Sequence, residues 1–297
     1  MGTIEDIDAA GTVITMSDSY AITANFERKY TPMVAGGVWH TVGLKSDGTA
    51  LAVGANAKGQ CEVGDWTDIV QVAGGQLHTV GLKSDGTMVA IGGNDYGQLD
   101  VDGWTDIIQI DAGKHHTVAL KSDGTVVATG WNDYGQCAVG GWTDIVQVVA
   151  GFYHTVGLKS DGTVVAVGVG TDRRLEVGEW TGIIKVAAGA HHTVGLRPDG
   201  TVVAVGRNAH GECGVNDWTD IVQVSAGCGF TVGLRSDGTV VAVGDNQYGA
   251  CDTAGWTDVV QVSAGGWHTV ALKYDGSVVA VGTNNAGRCD VGDWMLT

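Results

Sequence analysis

Seven Trp residues, Trp66, Trp104, Trp142, Trp180, Trp218, Trp256 and Trp294, recur every 38 residues along this 297-residue chain, with no interval longer or shorter. Seven Asp-Gly pairs, ending at Gly48, Gly86, Gly124, Gly162, Gly200, Gly238 and Gly276, keep the same step. A fixed period of this length means that each unit is a small supersecondary element, which must bury its apolar faces against its neighbours. One array over residues 1–297 therefore replaces the two domains that length alone would suggest. The unit reads approximately Trp-Thr-Asp-Ile-Val-Gln-Val-Ala-Ala-Gly-x-x-His-Thr-Val-Gly-Leu-Lys-Ser-Asp-Gly-Thr-Val-Val-Ala-Val-Gly-x-Asn-x-x-Gly-Gln-Cys.

Within a unit, residues 68–73, 78–83 and 87–91 are short β-branched runs bounded by Gly-containing turns, the pattern of strands. Asp-Gly between the second and third runs suits a tight hairpin, so neighbouring strands run antiparallel. That excludes helical repeats and argues against a parallel solenoid. A fourth, shorter strand is expected near Cys61-Glu62-Val63. The third run is apolar on both faces (Val126-Val127-Ala128 and its equivalents), so each sheet needs cover on two sides, which radial stacking of blades supplies.

The two ends complement each other. The last unit stops at Trp294-Met295-Leu296-Thr297 without the strand that should follow, and residues 29–37 occupy that missing phase at the start of the chain. The expected fold is all-β, a seven-bladed propeller of 38-residue units over 28–294, its ring closed by the N- and C-terminal segments. Residues 1–27 hold an additional hairpin, expected to latch onto the last blade.

The residues Gly-x-x-His-Thr-Val-Gly-Leu-Lys-x-Asp-Gly-Thr-Val-Val-Ala-Val-Gly-x-Asn-x-x-Gly-Gln resemble the regulator-of-chromosome-condensation repeat, and the resemblance covers residues 28–294. It implies a seven-bladed propeller. The compact unit is similar to the bacterial members, including those of the beta-lactamase inhibitory protein II type, for which the resemblance implies protein binding through aromatic loops on one face. No unit exceeds 38 residues, so the protruding insertion of the family's nucleotide-exchange members has no counterpart here.

Composition narrows the partner. Asp and Glu number 33 against 16 Lys and Arg, a formal charge of −17, which disfavours binding to nucleic acid or to an anionic membrane through a basic surface and would steer a basic protein. Apolar residues make up 44%, yet no stretch approaches the roughly 18 continuous apolar residues of a spanning helix. The acidic start of the chain lacks the cationic and apolar regions of a secretory leader. A cytoplasmic monomer is expected, or a secreted one if a leader has been removed.

Repetition also decides which chemistry to discount. His40, His78, His116, His154, His192 and His268 share one phase, with Phe230 in the seventh unit. Equivalent positions in different blades should stand on the order of 10 Å apart, too far to share an ion at about 2 Å per bond, so these are read as structural His paired within their blades. Cys61, Cys137, Cys213, Cys251 and Cys289 also share a phase that Leu99 and Leu175 fill elsewhere, the pattern of free buried thiols. Cys228 lies outside it, in a loop. Ser, Asp and His recur in nearly every unit, whereas an enzyme needs one site, and no phosphate-binding Lys follows the Gly-rich loops. Neither catalysis nor a cofactor or metal is expected.

Strand alternation brings the turn between the first and second strands and the loop after the third to one face, and the Asp-Gly turns to the other. The Asp-Gly face is nearly uniform. On the loop face the units differ, and aromatics concentrate there: Trp39, Tyr96, His115, Trp131, Tyr134, Phe152, Tyr153, Tyr248 and Trp267. Trp, Tyr and Arg are common interface anchors, so these nine are the candidate partner-binding residues. Two alternatives stand beside that reading: a small molecule or glycan in the central funnel, and a recently amplified scaffold without a defined role. A plainer account of Trp39, Tyr153 and Trp267 is that they plug the channel mouth.

Overall fold

The computed structural model describes residues 12–16, 20–24 and 30–297. Seven antiparallel three-stranded sheets form the blades, at 33–54, 69–92, 107–130, 145–168, 185–206, 221–244 and 259–282, here blades 1 to 7. Blade 2 is representative, with an inner strand Ile69–Gly74, a middle strand His78–Lys83 and an outer strand Met88–Gly92. Strand order within each sheet follows the chain, as expected for consecutive hairpins. Among the described residues no helix is long and apolar enough to cross a membrane.

The strand buried on both faces is the middle one rather than the third. His78 to Leu82 are all buried, whereas the outer strand buries only Met88 fully. The outer strand lies at the rim of the ring, where its apolar residues are only half covered. The fourth strand expected near Cys61 does not form. Asn56 Oδ1 accepts from Cys61 N at 2.9 Å, Gly59 O accepts from Glu62 N, and Val63 O accepts from Trp66 N, so this segment's backbone is spent within turns.

Seven apolar clusters fill the spaces between blades. Trp66 is representative: it joins Val42, Leu44 and Ala50 of blade 1 to Ile69 and Val72 of blade 2. A Cβ at Gly81 would lie 2.8 Å from the Trp66 ring, so the indole lies directly on the middle strand.

The ring closes where the ends of the sequence indicate. The inner strand of blade 1, Met33–Gly36, comes from the N-terminal segment, and Trp294 and Leu296 fill the junction between blades 7 and 1, with Trp294 lying on Gly43. Ser46 N donates to Leu296 O at 2.8 Å, and Val34 N donates to Gln261 Oε1 at 2.8 Å. The additional N-terminal hairpin is present as strands Thr12–Met16 and Tyr20–Ala24, which pair antiparallel in a sheet of their own. The segment that would seat it on the ring lies outside the described residues.

Candidate functional site

Two layers lie beneath the loop face, which is itself the third. The deepest is a belt of His and Thr. His78 Nε2 bonds Thr117 Oγ1 of blade 3 at 3.2 Å, and Thr117 Oγ1 in turn donates to Gln98 O at 2.7 Å. Because the Thr proton is committed to that carbonyl, Nε2 carries the imidazole proton. The same bond joins His40 to Thr79, His116 to Thr155, His154 to Thr193, His192 to Thr231 and His268 to Thr41. Pairing within a blade was the expectation. The bond instead crosses to the next blade, because blades pack face to face and the buried middle strand lies against its neighbour. Phe230 leaves one junction without it. Burial pulls the pKa of these imidazoles down, to about 4 for His40 and about 3 for His78, His116, His192 and His268, so they are neutral couplers.

The second layer surrounds the central channel, a cavity of about 240 Å³ lined by the inner strands. Gln71 uses its side-chain amide as a surrogate peptide: Nε2 donates to Ile110 O and Oε1 accepts from Ile110 N, both at 3.0 Å. Gln147 and Gln223 do the same to Val186 and Val262. Lys185 replaces Gln in blade 5 and donates to Val222 O. These amides are therefore engaged between blades rather than presented to a ligand.

The outermost layer is the loop face. Of the two variable residues in the first turns, the first lines the channel in four blades, as Val38, Phe152, Ala190 and Gly266. The second turns outward onto the loop of the preceding blade. Trp39, Tyr153 and Trp267 belong to this second set and stand outside the channel lining, which counts against their plugging it.

Six of the nine candidate residues meet in one platform over blades 2 to 4. Tyr96 stacks on His115 at 4.8 Å and on Trp131 at 5.7 Å; Trp131 meets Tyr134 at 5.1 Å and Tyr153 at 5.8 Å; Phe152 joins through Tyr153 at 6.1 Å. Tyr96 and Tyr134 are 49% and 52% exposed, so the platform reaches solvent. Trp39 and Trp267 form a second pair at 4.7 Å over the closing junction. Tyr248 is exposed on the loop of blade 6, away from both.

Cations lie against both aromatic groups, contacts that the phase of these residues in the sequence does not reveal. Lys114 Nζ donates to Tyr153 Oη at 2.6 Å and lies 4.7 Å from the ring centre, and the Arg288 guanidinium lies 4.8 Å over Trp39. Arg174 and Arg288 are almost completely buried, in the phase that Gln60, Gln98 and Gln136 fill elsewhere. Arg174 pairs with Asp172 and donates to Ala190 O at 2.8 Å, and Nδ1 of His191 lies 3.2 Å from the same Asp172 carboxylate. The departure from Gln at 174 and 288 was the readable signal, but burial of an Arg was not.

All six thiols are free. The five in common phase are half-buried rather than buried, each Sγ directed at the carbonyl six residues earlier, and burial raises their pKa to about 11. Cys228 lies deeper, and burial raises it further, away from the thiolate range that reactivity needs.

Residues 69–98, 107–136, 145–172, 183–212, 221–250 and 259–288 match the regulator of chromosome condensation (RCC1) repeat, together more than half of the chain. No curated protein matches. Among solved structures, Prp20p from Saccharomyces cerevisiae is 18% identical with a TM-score of 0.67, covering 78% of this chain and 80% of its own. The CRINKLY WD40 ectodomain of the Arabidopsis thaliana receptor kinase ACR4 is 19% identical at a TM-score of 0.70, covering 86% and 95%. Human WBSCR16 is 16% identical at 0.68, covering 87% and 92%. Identity this low speaks to fold alone, whereas the repeats speak to descent, and on them this chain belongs to the RCC1 repeat family.

Proposed function

We propose that this chain is a non-enzymatic binding module that holds a protein, basic in character, on its loop face. The observation that carries this reading is the continuous platform of Tyr96, His115, Trp131, Tyr134, Phe152 and Tyr153, built from three blades and rising to half-exposed rings. Rigid aromatic side chains lose little conformational freedom on association, which suits them as anchors. The Prp20p structure was described together with binding to Gsp1p and histones, which supports a binding role for the shared fold. The residues that could suggest hydrolysis are occupied: Asp85 accepts from Thr87 within its own turn, and His78 is buried against Thr117. A ligand in the channel has weaker support, because the Gln amides lining it bond the neighbouring blades.

The test is retention from a lysate of the source organism by immobilised wild-type chain and by a Trp131→Ala, Tyr134→Ala, Tyr153→Ala variant. Proteins held by the wild type should be lost from the variant while its melting temperature stays nearly constant. Equal retention by the two would overturn the reading.

A further inference from the structure

We propose that two copies of this chain pair through their Asp-Gly faces, around the openings of their central channels. Among the described residues ten large apolar side chains are exposed, and five of them, Ile108, Val146, Ile184, Val222 and Val260, share one phase. Four of them follow the first residue of an inner strand, and Ile184 directly precedes one. Ile107 pairs with Lys121 beside the Asp-Gly turn, and a β-bulge at that point leaves Ile108 without a ladder partner and turned outward. Bulges at Ile145, Ile221 and Val259 place Val146, Val222 and Val260 likewise. These five stand around the channel opening on blades 3 to 7. Tyr274, 84% exposed in the turn of blade 7, and Met295, bridged to Ser277 just past that turn, add two more at the same end. The face that comparison of units marks as uniform thus carries more exposed apolar side chains than the loop face.

Repetition identifies the occupant. A surface whose apolar groups recur once per blade is matched group for group by a surface with the same angular spacing, and another copy of this ring has it. Charge points the same way. Each turn carries a cation and a carboxylate close together, as Lys83 and Asp85: hydrogen bonds from Thr87 chiefly hold Asp85 below its usual range, and Lys83 adds to this. Across a twofold axis, one rotation of the partner sets every turn cation opposite a carboxylate, and the symmetry makes the reverse pairing at once. Apolar contact then supplies affinity, while the charges fix the rotation. This departs from the monomer expected from sequence and is independent of what the loop face binds.

Tyr30 lies on this face, against Gly48 in the first Asp-Gly turn, so the experiment includes a chain without residues 1–27. Sedimentation equilibrium of the full chain, from low to high micromolar, should show a monomer–dimer equilibrium. Val146→Asn with Val222→Asn should weaken it at least tenfold at unchanged melting temperature, with Ile108→Thr as the second variant should that pair unfold. Trp131→Ala should leave it unaltered. A full chain that stays monomeric throughout overturns the proposal, as does a dimer weakened by Trp131→Ala but not by the valine pair. A dimer that appears only after removal of residues 1–27 also overturns it, by showing that the chain covers its own ring.

Discussion

Among the described residues Asp111 is the only carboxylate on an inner strand. It accepts from Ala112 N and Ala150 N, both at 2.8 Å, and burial pushes its pKa up to about 6 despite those bonds. Ser225 and Ser263 stand in the same phase and accept from Ala264 N and Gly36 N, so a hydroxyl can do the same work without a charge. A carboxyl whose folded pKa exceeds its unfolded value loses stability as pH rises through the folded value. Asp111→Ser should therefore raise stability above pH 6 by on the order of 2 kcal/mol and have little effect below about pH 4, as urea melts at the two pH values would show. The buried imidazoles have the opposite sign. Their folded pKa values of about 3 to 4 lie below the unfolded 6.5, so their stabilisation is complete above 6.5 and is lost as pH falls toward the folded values. Each contributes about 1.4 kcal/mol per pH unit across that window, which predicts a steep acid transition. Circular dichroism against pH should show it beginning well above pH 3, and His116→Phe, which copies Phe230, should make it shallower by one proton.

At the level of strands, the sequence is most legible where turn chemistry punctuates it. The expected runs 68–73, 78–83 and 87–91 correspond to strands 69–74, 78–83 and 88–92, because Asp-Gly, Gly-x-x and Gly-x-Asn mark their ends. Two features escaped that reading for physical reasons. The Cys61 segment has strand-like residues, but the Asn56 side chain takes its backbone first. The bulge on the inner strand is invisible to periodicity, and with it the outward turn of Ile108 and its counterparts. The first turn has the strictest requirement in the unit. A Cβ at Gly75 would lie 2.1 Å from His78 Cε1 and 2.7 Å from Gly113 O, so neither the ring nor the next blade leaves room. Gly75→Ala should lower unfolding stability by about 3 kcal/mol in chemical denaturation, since overpacking here displaces a hydrogen-bonded ring as well as a backbone carbonyl.

For the whole molecule, comparing units within one chain separates what folding needs from what varies, which is why the loop-face aromatics stand out in the sequence alone. The same comparison is blind to a surface that every unit shares, so the apolar ring on the Asp-Gly face is visible only through the exposure of its side chains. It is equally blind to which rings touch: that Trp131 links Tyr96, Tyr134 and Tyr153 while Tyr248 stands apart follows from loop geometry, not from phase. Closure was legible, because a missing strand at one end and a surplus one at the other admit a simple solution. Its energetics follow from the few residues that make it. Residues 294–297 place the Trp294 indole on Gly43, bury Leu296 completely and accept the Ser46 N–H. Deleting them removes a buried Trp and a buried Leu, together on the order of 5 kcal/mol or more. It also exposes the inner face of blade 1, which an internal Trp142→Ala substitution would leave covered by both neighbours. The deletion should thus lower the melting temperature more than Trp142→Ala does. Hydrogen exchange should then rise first in blades 1 and 7, and uniform loss of protection around the ring would show that the terminal segment is not what holds it shut.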